Sequence, residues 1–213
     1  MGALPRLSEP EPDAIAPFAP FIAPKDRIKP TTMFRSTWLT SSMRALRDRN
    51  LEKAYFARLP AKYHESVANS VAGVWLPIEV AEAHYEACDS LQLPLSDILE
   101  IGKTVTRFAH KTSYSFALRL VTDAGVTPWA CFAIQRRLWS QVWVGGDVAT
   151  CKLGPKEARV EVVGWPCARF AYCRVAIRGV LIGQTELFCT KAYAYEIPAL
   201  CTPTSLAYRV AWA

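Results

Sequence analysis

The C-terminal end of the chain constrains the fold most, because its apolar residues repeat with a period of two. From Leu206 to Ala213, large apolar side chains occupy every second position, and Ala or Arg occupies most positions between them. This alternation is typical of a β-strand that buries one face. The residues on the buried side are Leu206, Tyr208, Val210 and Trp212. A half-buried antiparallel sheet is therefore predicted for the last third of the chain, from Asp147 onward.

Four strands are predicted in this last third, at about 148–153, 157–164, 190–197 and 205–212. The segment between the second and third strands is apolar almost all round, so periodicity cannot separate helix from strand there. Its length favours a helix. Gly179 and Gly183, four residues apart, would lie on one face of that helix and let it approach a neighbour closely.

Five helices are predicted upstream of the sheet, where apolar residues recur every three or four positions. Capping hydroxyls and first-turn prolines mark their starts. The helices run from Thr40 to about Arg49, over 61–73, from Pro77 to about Leu91, from Ser96 to about Val121 and from Thr127 to Gly145. The predicted fold class is α+β: five N-terminal helices packed on a four-stranded antiparallel sheet with the order ββαββ.

A proline-rich N-terminal arm is predicted over residues 1–33, and a single α+β domain over 34–213. Residues 1–30 hold seven of the fifteen prolines, which excludes a regular helix or an inner strand. Two alternatives stay open for the arm. It packs through Phe18, Phe21 and Ile22 against the domain or a partner, or it is a disordered tail.

Charge and cysteine content exclude several classes of protein. The net charge is +6, but no run of five Lys or Arg occurs, so nucleic-acid binding is not expected. No signal peptide and no apolar window of about 18 residues is present, so a membrane span is not expected either. Seven cysteines without a CxxC pair indicate a reducing compartment, and the expected localisation is cytoplasmic.

Three segments together resemble a known family: WLPIEVAEAHYEACDSLQL at 75–93, CKLGPKEARVEVVGWP at 151–166 and GQTELFCTKAYAYE at 183–196. The family is an uncharacterised bacterial domain of the myxobacterial type. It is distantly similar to the superfamily that includes vinyl-reductase-type domains, haem–nitric-oxide-binding sensors and TRAPP vesicle-tethering subunits. The resemblance covers roughly residues 34–212. It implies that helices and sheet enclose an apolar pocket for haem, acyl chains or tetrapyrrole precursors.

Histidines and one cysteine are the candidate metal ligands. His84 and Cys88 are four residues apart on a predicted helix and so share a face, and packing in the core is the alternative for both. His110 is the candidate axial ligand of haem, which needs a histidine directed into an apolar pocket, and its alternative is the helix surface. The haem sensors also carry a Tyr-x-Ser-x-Arg motif that binds the propionates. This chain has those residue types at a different spacing, as Tyr114, Ser115 and Arg119.

The candidate ligand-binding residues are Arg174, Arg178, Trp165 and Tyr172. Charged side chains are rarely buried without a partner, and arginine binds carboxylates through paired hydrogen bonds. The two arginines would hold a ligand carboxylate at a pocket mouth. Alternatively, they pair with Glu157 or Glu161, or lie exposed. The aromatic residues would line the pocket or belong to the core.

No catalytic motif is present, since the sequence contains no nucleophile elbow, P-loop or dinucleotide fingerprint. The chain is therefore expected not to be an enzyme. The first-ranked function is a non-enzymatic binding or sensory domain for a small apolar or acyl-type ligand, with a pocket between helices and sheet of about 300 Å³ or more. The alternatives are an interaction or homodimerisation module without a ligand and, ranked last, a haem sensor.

Overall fold

The computed structural model describes residues 17–109 and 127–213, and eight α-helices and eight strands lie within these ranges. The helices are α1 (Ser36–Arg47), α2 (Glu52–Phe56), α3 (His64–Ala68), α4 (Ile78–Asp89), α5 (Leu95–Ala109), α6 (Pro128–Ala133), α7 (Gln135–Val142) and α8 (Ala171–Thr185). The strands are β1 (Pro17–Ala19), β2 (Met33–Arg35), β3 (Trp75–Pro77), β4 (Trp143–Val144), β5 (Asp147–Gly154), β6 (Glu157–Val163), β7 (Ala192–Glu196) and β8 (Ser205–Trp212).

The main sheet has five antiparallel strands in the order β1-β5-β6-β8-β7. Strands β5 to β8 are the four that the sequence predicts. In β8, the predicted buried stripe is confirmed, because Leu206, Tyr208, Val210 and Trp212 are all buried. The register places Tyr208 opposite Val160 of β6, so one face of the sheet is continuous and apolar. The helices pack against this face.

The predicted four-stranded ββαββ sheet is incomplete, because the proline-rich arm supplies a fifth strand. β1 pairs with β5 at the edge of the sheet, where proline is tolerated. Beyond β1, the Ile22 backbone N–H donates to Asp147 at 2.7 Å, and Lys25 forms an ion pair with Glu161. The described part of the arm therefore lies against the domain. The division at residue 33 into an arm and a single domain stays a prediction.

A second, three-stranded sheet was not predicted. Its order is β3-β2-β4, and Phe34 lies opposite both Leu76 and Trp143. Each strand has only two or three residues, too few for a period of two to appear. This small sheet joins the starts of α1 and α4 to the end of α7.

The helix predicted between the second and third strands is confirmed as α8. It crosses α5 where glycines of the two helices face each other. A Cβ atom on Gly102 would collide with the Ala176 carbonyl, and one on Gly179 would collide with the Leu99 carbonyl. The two backbones therefore approach each other more closely than any larger residue would allow.

The upstream helices differ from the prediction at their ends. α1 begins at Ser36, before the expected cap, and the Thr40 and Ser41 hydroxyls instead donate to the Thr37 carbonyl. The helix predicted over 61–73 is a 3₁₀ turn followed by α3. The fifth helix is broken at Ile134 into α6 and α7. The predicted continuation of α5 to Val121 lies outside the described residues.

Helix length and the state of the cysteines bear on two further expectations. Within the described ranges, no helix is long and apolar enough to cross a membrane. All seven cysteines are free thiols, and four of them, Cys88, Cys131, Cys167 and Cys173, are buried. Burial raises the pKa of the Cys131 thiol to about 12, so this group stays protonated at neutral pH.

Candidate functional site

A small cavity lies between α7, α8 and the inner face of the main sheet. Its volume is about 50 Å³. The helices contribute Leu138, Trp139 and Leu181, and the strands contribute Val160 and Tyr208 among others. This is where the sequence places a pocket, but the volume is far below the expected 300 Å³ or so. A groove of about 340 Å³ exists elsewhere, on the surface beside α3 and β3.

Three indoles pack together along one side of this cavity. The ring centroids of Trp139 and Trp143 are 5.6 Å apart, those of Trp139 and Trp165 are 5.5 Å apart, and those of Trp143 and Trp165 are 5.1 Å apart. Such distances are typical of favourable stacked and edge-to-face aromatic pairs. We call these three residues the indole cluster.

The cavity wall also holds polar atoms whose hydrogen bonds are incomplete. Within the described part of the chain, the buried Trp165 Nε1 and Gln135 Oε1 atoms have no hydrogen-bond partner. By contrast, Trp139 Nε1 donates to the Gly145 carbonyl at 3.0 Å. A buried polar group without a partner costs free energy. Both unpaired atoms belong to residues that line the cavity.

The two arginines proposed to bind a ligand lie on the side of α8 that faces β7. Arg174 makes two hydrogen bonds to Glu196, one of them at 3.0 Å, and this contact lowers the pKa of the Glu196 carboxyl. Arg178 donates to the Ala194 carbonyl at 3.2 Å. Neither arginine is among the described residues that line the cavity. Arg174 forms an ion pair with Glu196, whereas the alternative drawn from the sequence named Glu157 or Glu161.

The two candidate aromatic residues line different spaces. Trp165 is fully buried and lines the 50 Å³ cavity. Tyr172 is also buried, but it lines a separate gap of about 10 Å³ between α1, α4, α5 and α8. The structure thus does not bring the four candidate ligand-binding residues into one site.

His84 and Cys88 belong to a buried polar network. His84 Nδ1 lies 2.9 Å from the Tyr55 hydroxyl, and Nε2 lies 3.0 Å from Ser42 Oγ. The Cys88 sulfur is 3.7 Å from Nε2. Burial lowers the pKa of His84 to about 3 and raises that of the Cys88 thiol. No group of three metal-ligand side chains occurs in the residues that the structure describes, and His110 lies outside them.

The residues around the cavity were only partly identified from the sequence. Leu138, Trp139 and Val142 recur at the spacing of one helix face, which marks a buried side, and all three line the cavity. Gln135 was missed because a single polar residue at the start of a helix carries no signal of its own. Its role appears only when strands from the last third are packed against α7.

Comparison with known proteins identifies the class of fold. No protein-family model and no curated protein matches the sequence. Among solved structures, this chain matches H-NOX domains. The Fe(II) unliganded H-NOX protein from K. algicida gives a TM-score of 0.62 at 9% identity, covering 84% of this chain and 96% of that one. At such low identity the likeness shows the fold alone.

Two further structures give the same result. An oxygen-binding H-NOX domain related to soluble guanylate cyclases, in its oxygen complex, gives a TM-score of 0.54 at 11% identity, covering 83% of this chain and 92% of that one. A mutant of the T. tengcongensis H-NOX gives a TM-score of 0.57 at 10% identity, with 83% of this chain and 96% of that one covered. The chain therefore has the H-NOX fold over most of its length.

These matches support one sequence-based expectation in part and correct another. They support the haem–nitric-oxide-binding part of the resemblance, whereas no sequence match supports the myxobacterial-type family. The first-ranked function, a domain for an apolar or acyl-type ligand, is wrong. The structural neighbours that overturn it are H-NOX domains, and two of those structures come from work on haem redox potential and haem distortion.

Proposed function

We propose that this chain is a haem-binding sensor domain that acts by binding and not by catalysis. One observation supports this function above the others. The H-NOX fold extends over 83% of this chain and 97% of a solved chain studied for its haem redox potential. Because nearly the whole of that chain is matched, the likeness concerns a complete domain and not a shared fragment.

In the state that the structure presents, the residues around the cavity do not fit a porphyrin. The cavity has about 50 Å³, whereas sites for small organic ligands have roughly 300–1,000 Å³. Haem iron is held by His, Cys, Met or Tyr, and among the described lining residues only Tyr208 is of these types. Its hydroxyl already donates to the Arg174 carbonyl at 2.8 Å. Haem binding therefore requires the cavity to open and an iron ligand from elsewhere in the chain.

The contacts of the histidines indicate which residue could ligate the iron. The sequence contains three histidines. Both ring nitrogens of His84 are bonded within the buried network, and Nε2 of His64 lies 2.8 Å from the Leu59 carbonyl. Because His84 is fully engaged and one ring nitrogen of His64 is bonded, the proposal assigns axial ligation to His110, the histidine that the sequence also favoured.

An absorbance titration tests this function directly. Haem is added to the purified chain and to the His110→Ala variant, with His64→Ala as the matched control. We expect a shifted Soret band that saturates at one haem per chain, weakened at least about tenfold in affinity by His110→Ala and unchanged by His64→Ala. A wild-type chain that leaves the haem spectrum unchanged would rule out the proposed function. Equal binding by the His110→Ala variant would rule out only the axial assignment.

A further inference from the structure

The buried polar network around His84 borders the small gap between α1, α4, α5 and α8. We propose that this gap binds one water molecule, which accepts a hydrogen bond from Ser42 and donates one to Tyr172. The water completes a hydrogen-bond chain from Tyr55 through His84 and Ser42 to Tyr172, and it holds His84 in the tautomer protonated on Nε2. This inference does not depend on the proposed haem-binding function.

The gap has the size and the lining that a single water needs. Its volume is about 10 Å³, at the lower limit for one water molecule. Most of its lining is apolar, but Ser42, Tyr85 and Tyr172 bring hydroxyl groups to it. A buried water usually makes about three hydrogen bonds. The gap therefore has enough hydroxyl groups around it to hold a water in place.

The Tyr172 hydroxyl is the observation that points to a ligand. Tyr172 is 2% exposed, and its hydroxyl oxygen has no hydrogen-bond partner in the described ranges. Burial raises the pKa of this hydroxyl well above its usual value, so the group stays protonated. The nearby Ser42 and Cys88 side chains affect that pKa, but neither makes a direct hydrogen bond to the hydroxyl. A buried hydroxyl left unpaired costs free energy, which a bridging water removes.

The protons of the His84 network determine which group donates into the gap. Because burial lowers the pKa of His84 to about 3, the ring is neutral at pH 7, and one nitrogen donates while the other accepts. Nδ1 contacts the Tyr55 hydroxyl and Nε2 contacts the Ser42 hydroxyl. With the proton on Nε2, Tyr55 donates to Nδ1, and the Ser42 O–H needs a further acceptor. With the proton on Nδ1, the Tyr55 O–H needs one instead.

A water in the gap can serve Ser42 but not Tyr55. Tyr55 is fully buried, is not among the residues that line the gap, and contacts only His84 through its hydroxyl in the described part of the chain. Ser42 does line the gap. The proton on Nε2 therefore leaves no buried hydroxyl of the chain unpaired, provided that a water accepts from Ser42.

A high-resolution crystal structure of the wild-type chain tests the site directly. We expect one peak of electron density in the gap, at about 2.5–3.0 Å from both Ser42 Oγ and Tyr172 Oη. A gap without such a peak, with Tyr172 bonded directly to Ser42 or Cys88, would overturn the proposal.

The tautomer of His84 is tested separately in solution. A long-range ¹H–¹⁵N spectrum of the imidazole at pH 7 distinguishes a protonated nitrogen from an unprotonated one. The proposal predicts that Nε2 carries the proton and that Nδ1 does not. A proton on Nδ1 would mean that Ser42 donates to His84, and the chain through the water would be wrong.

Oxygen-17 relaxation dispersion counts long-lived buried waters and allows a comparison of variants. Ser42→Ala together with Tyr172→Phe removes both oxygens that hold the water. The matched control is Ser41→Ala together with Tyr195→Phe, because Ser41 donates to the Thr37 carbonyl and Tyr195 is 55% exposed. We expect the first variant to lose one long-lived water and the control to lose none. Equal counts in the wild-type chain and both folded variants would contradict the proposal, and if the first variant is unfolded, the two wild-type measurements decide.

Discussion

At the scale of single residues, His84 shows how a buried polar group is kept neutral. Its ring nitrogens contact Ser42 of α1 and Tyr55 of α2, so one imidazole joins three helices. The spacing of His84 and Cys88 correctly places both on one helix face, but no sequence pattern identifies partners that come from two other helices. Long-range contacts of this kind depend on how the helices pack.

The stability of the chain should therefore depend on pH through His84. The folded-state pKa of His84, about 3, lies below the unfolded value of about 6.5. The contribution of neutral His84 to stability is therefore fully present above pH 6.5, and it is lost as the pH drops towards 3. Between pH 7 and pH 5, this histidine should cost about 2 kcal/mol of unfolding free energy. Urea unfolding of the wild-type chain and of His84→Gln at both pH values measures this effect. The unfolding free energy lost between pH 7 and pH 5 should be smaller in His84→Gln by that amount. An equal loss in both proteins would mean that His84 is not buried as described.

At the scale of elements, the crossing of α5 and α8 decides how the helical layer meets the sheet. The sequence predicted α8 from the length of its segment and placed Gly179 on a packed face. Gly102 on α5 was likewise predicted to let a neighbouring helix approach closely, and the structure shows that this neighbour is α8. In contrast, the second sheet was not predictable, because strands of two or three residues are too short for periodicity to indicate which of them pair.

Alanine in place of Gly179 should force these helices apart. The added Cβ would collide with the Leu99 carbonyl and lie 3.0 Å from the Gly102 Cα, and backbone atoms cannot move aside as a flexible side chain can. We expect a loss of at least about 2 kcal/mol in unfolding free energy.

Gly154→Ala is the control for that substitution. The nearest atom to a Cβ there is 3.7 Å away, so its effect should stay within about 0.5 kcal/mol. Urea unfolding of both variants gives the comparison. A Gly179→Ala variant as stable as Gly154→Ala would show that the two backbones are not in close contact.

At the scale of the whole molecule, the sequence predicted helices covering a one-sided sheet and a pocket between them. Both layers are present, and the cavity lies where the pocket was expected. The size of that cavity was not predictable, because it results from side chains of α1, α7, α8 and four strands meeting at one point. The function was ranked wrongly for a different reason. The likeness to H-NOX domains lies in the three-dimensional fold, whereas the sequence identity is as low as 9%.

The proposed haem-binding function requires the cavity beside the indole cluster to open when haem binds. The most direct test is a ¹H–¹⁵N correlation spectrum of the seven tryptophan side chains, recorded before and after haem is added. The indole N–H signals of Trp139 and Trp165 should shift or broaden strongly, while that of Trp75, which packs under Arg35 at 4.3 Å in the small sheet, should keep its position. Unchanged Trp139 and Trp165 signals in a chain that has bound haem would contradict the account.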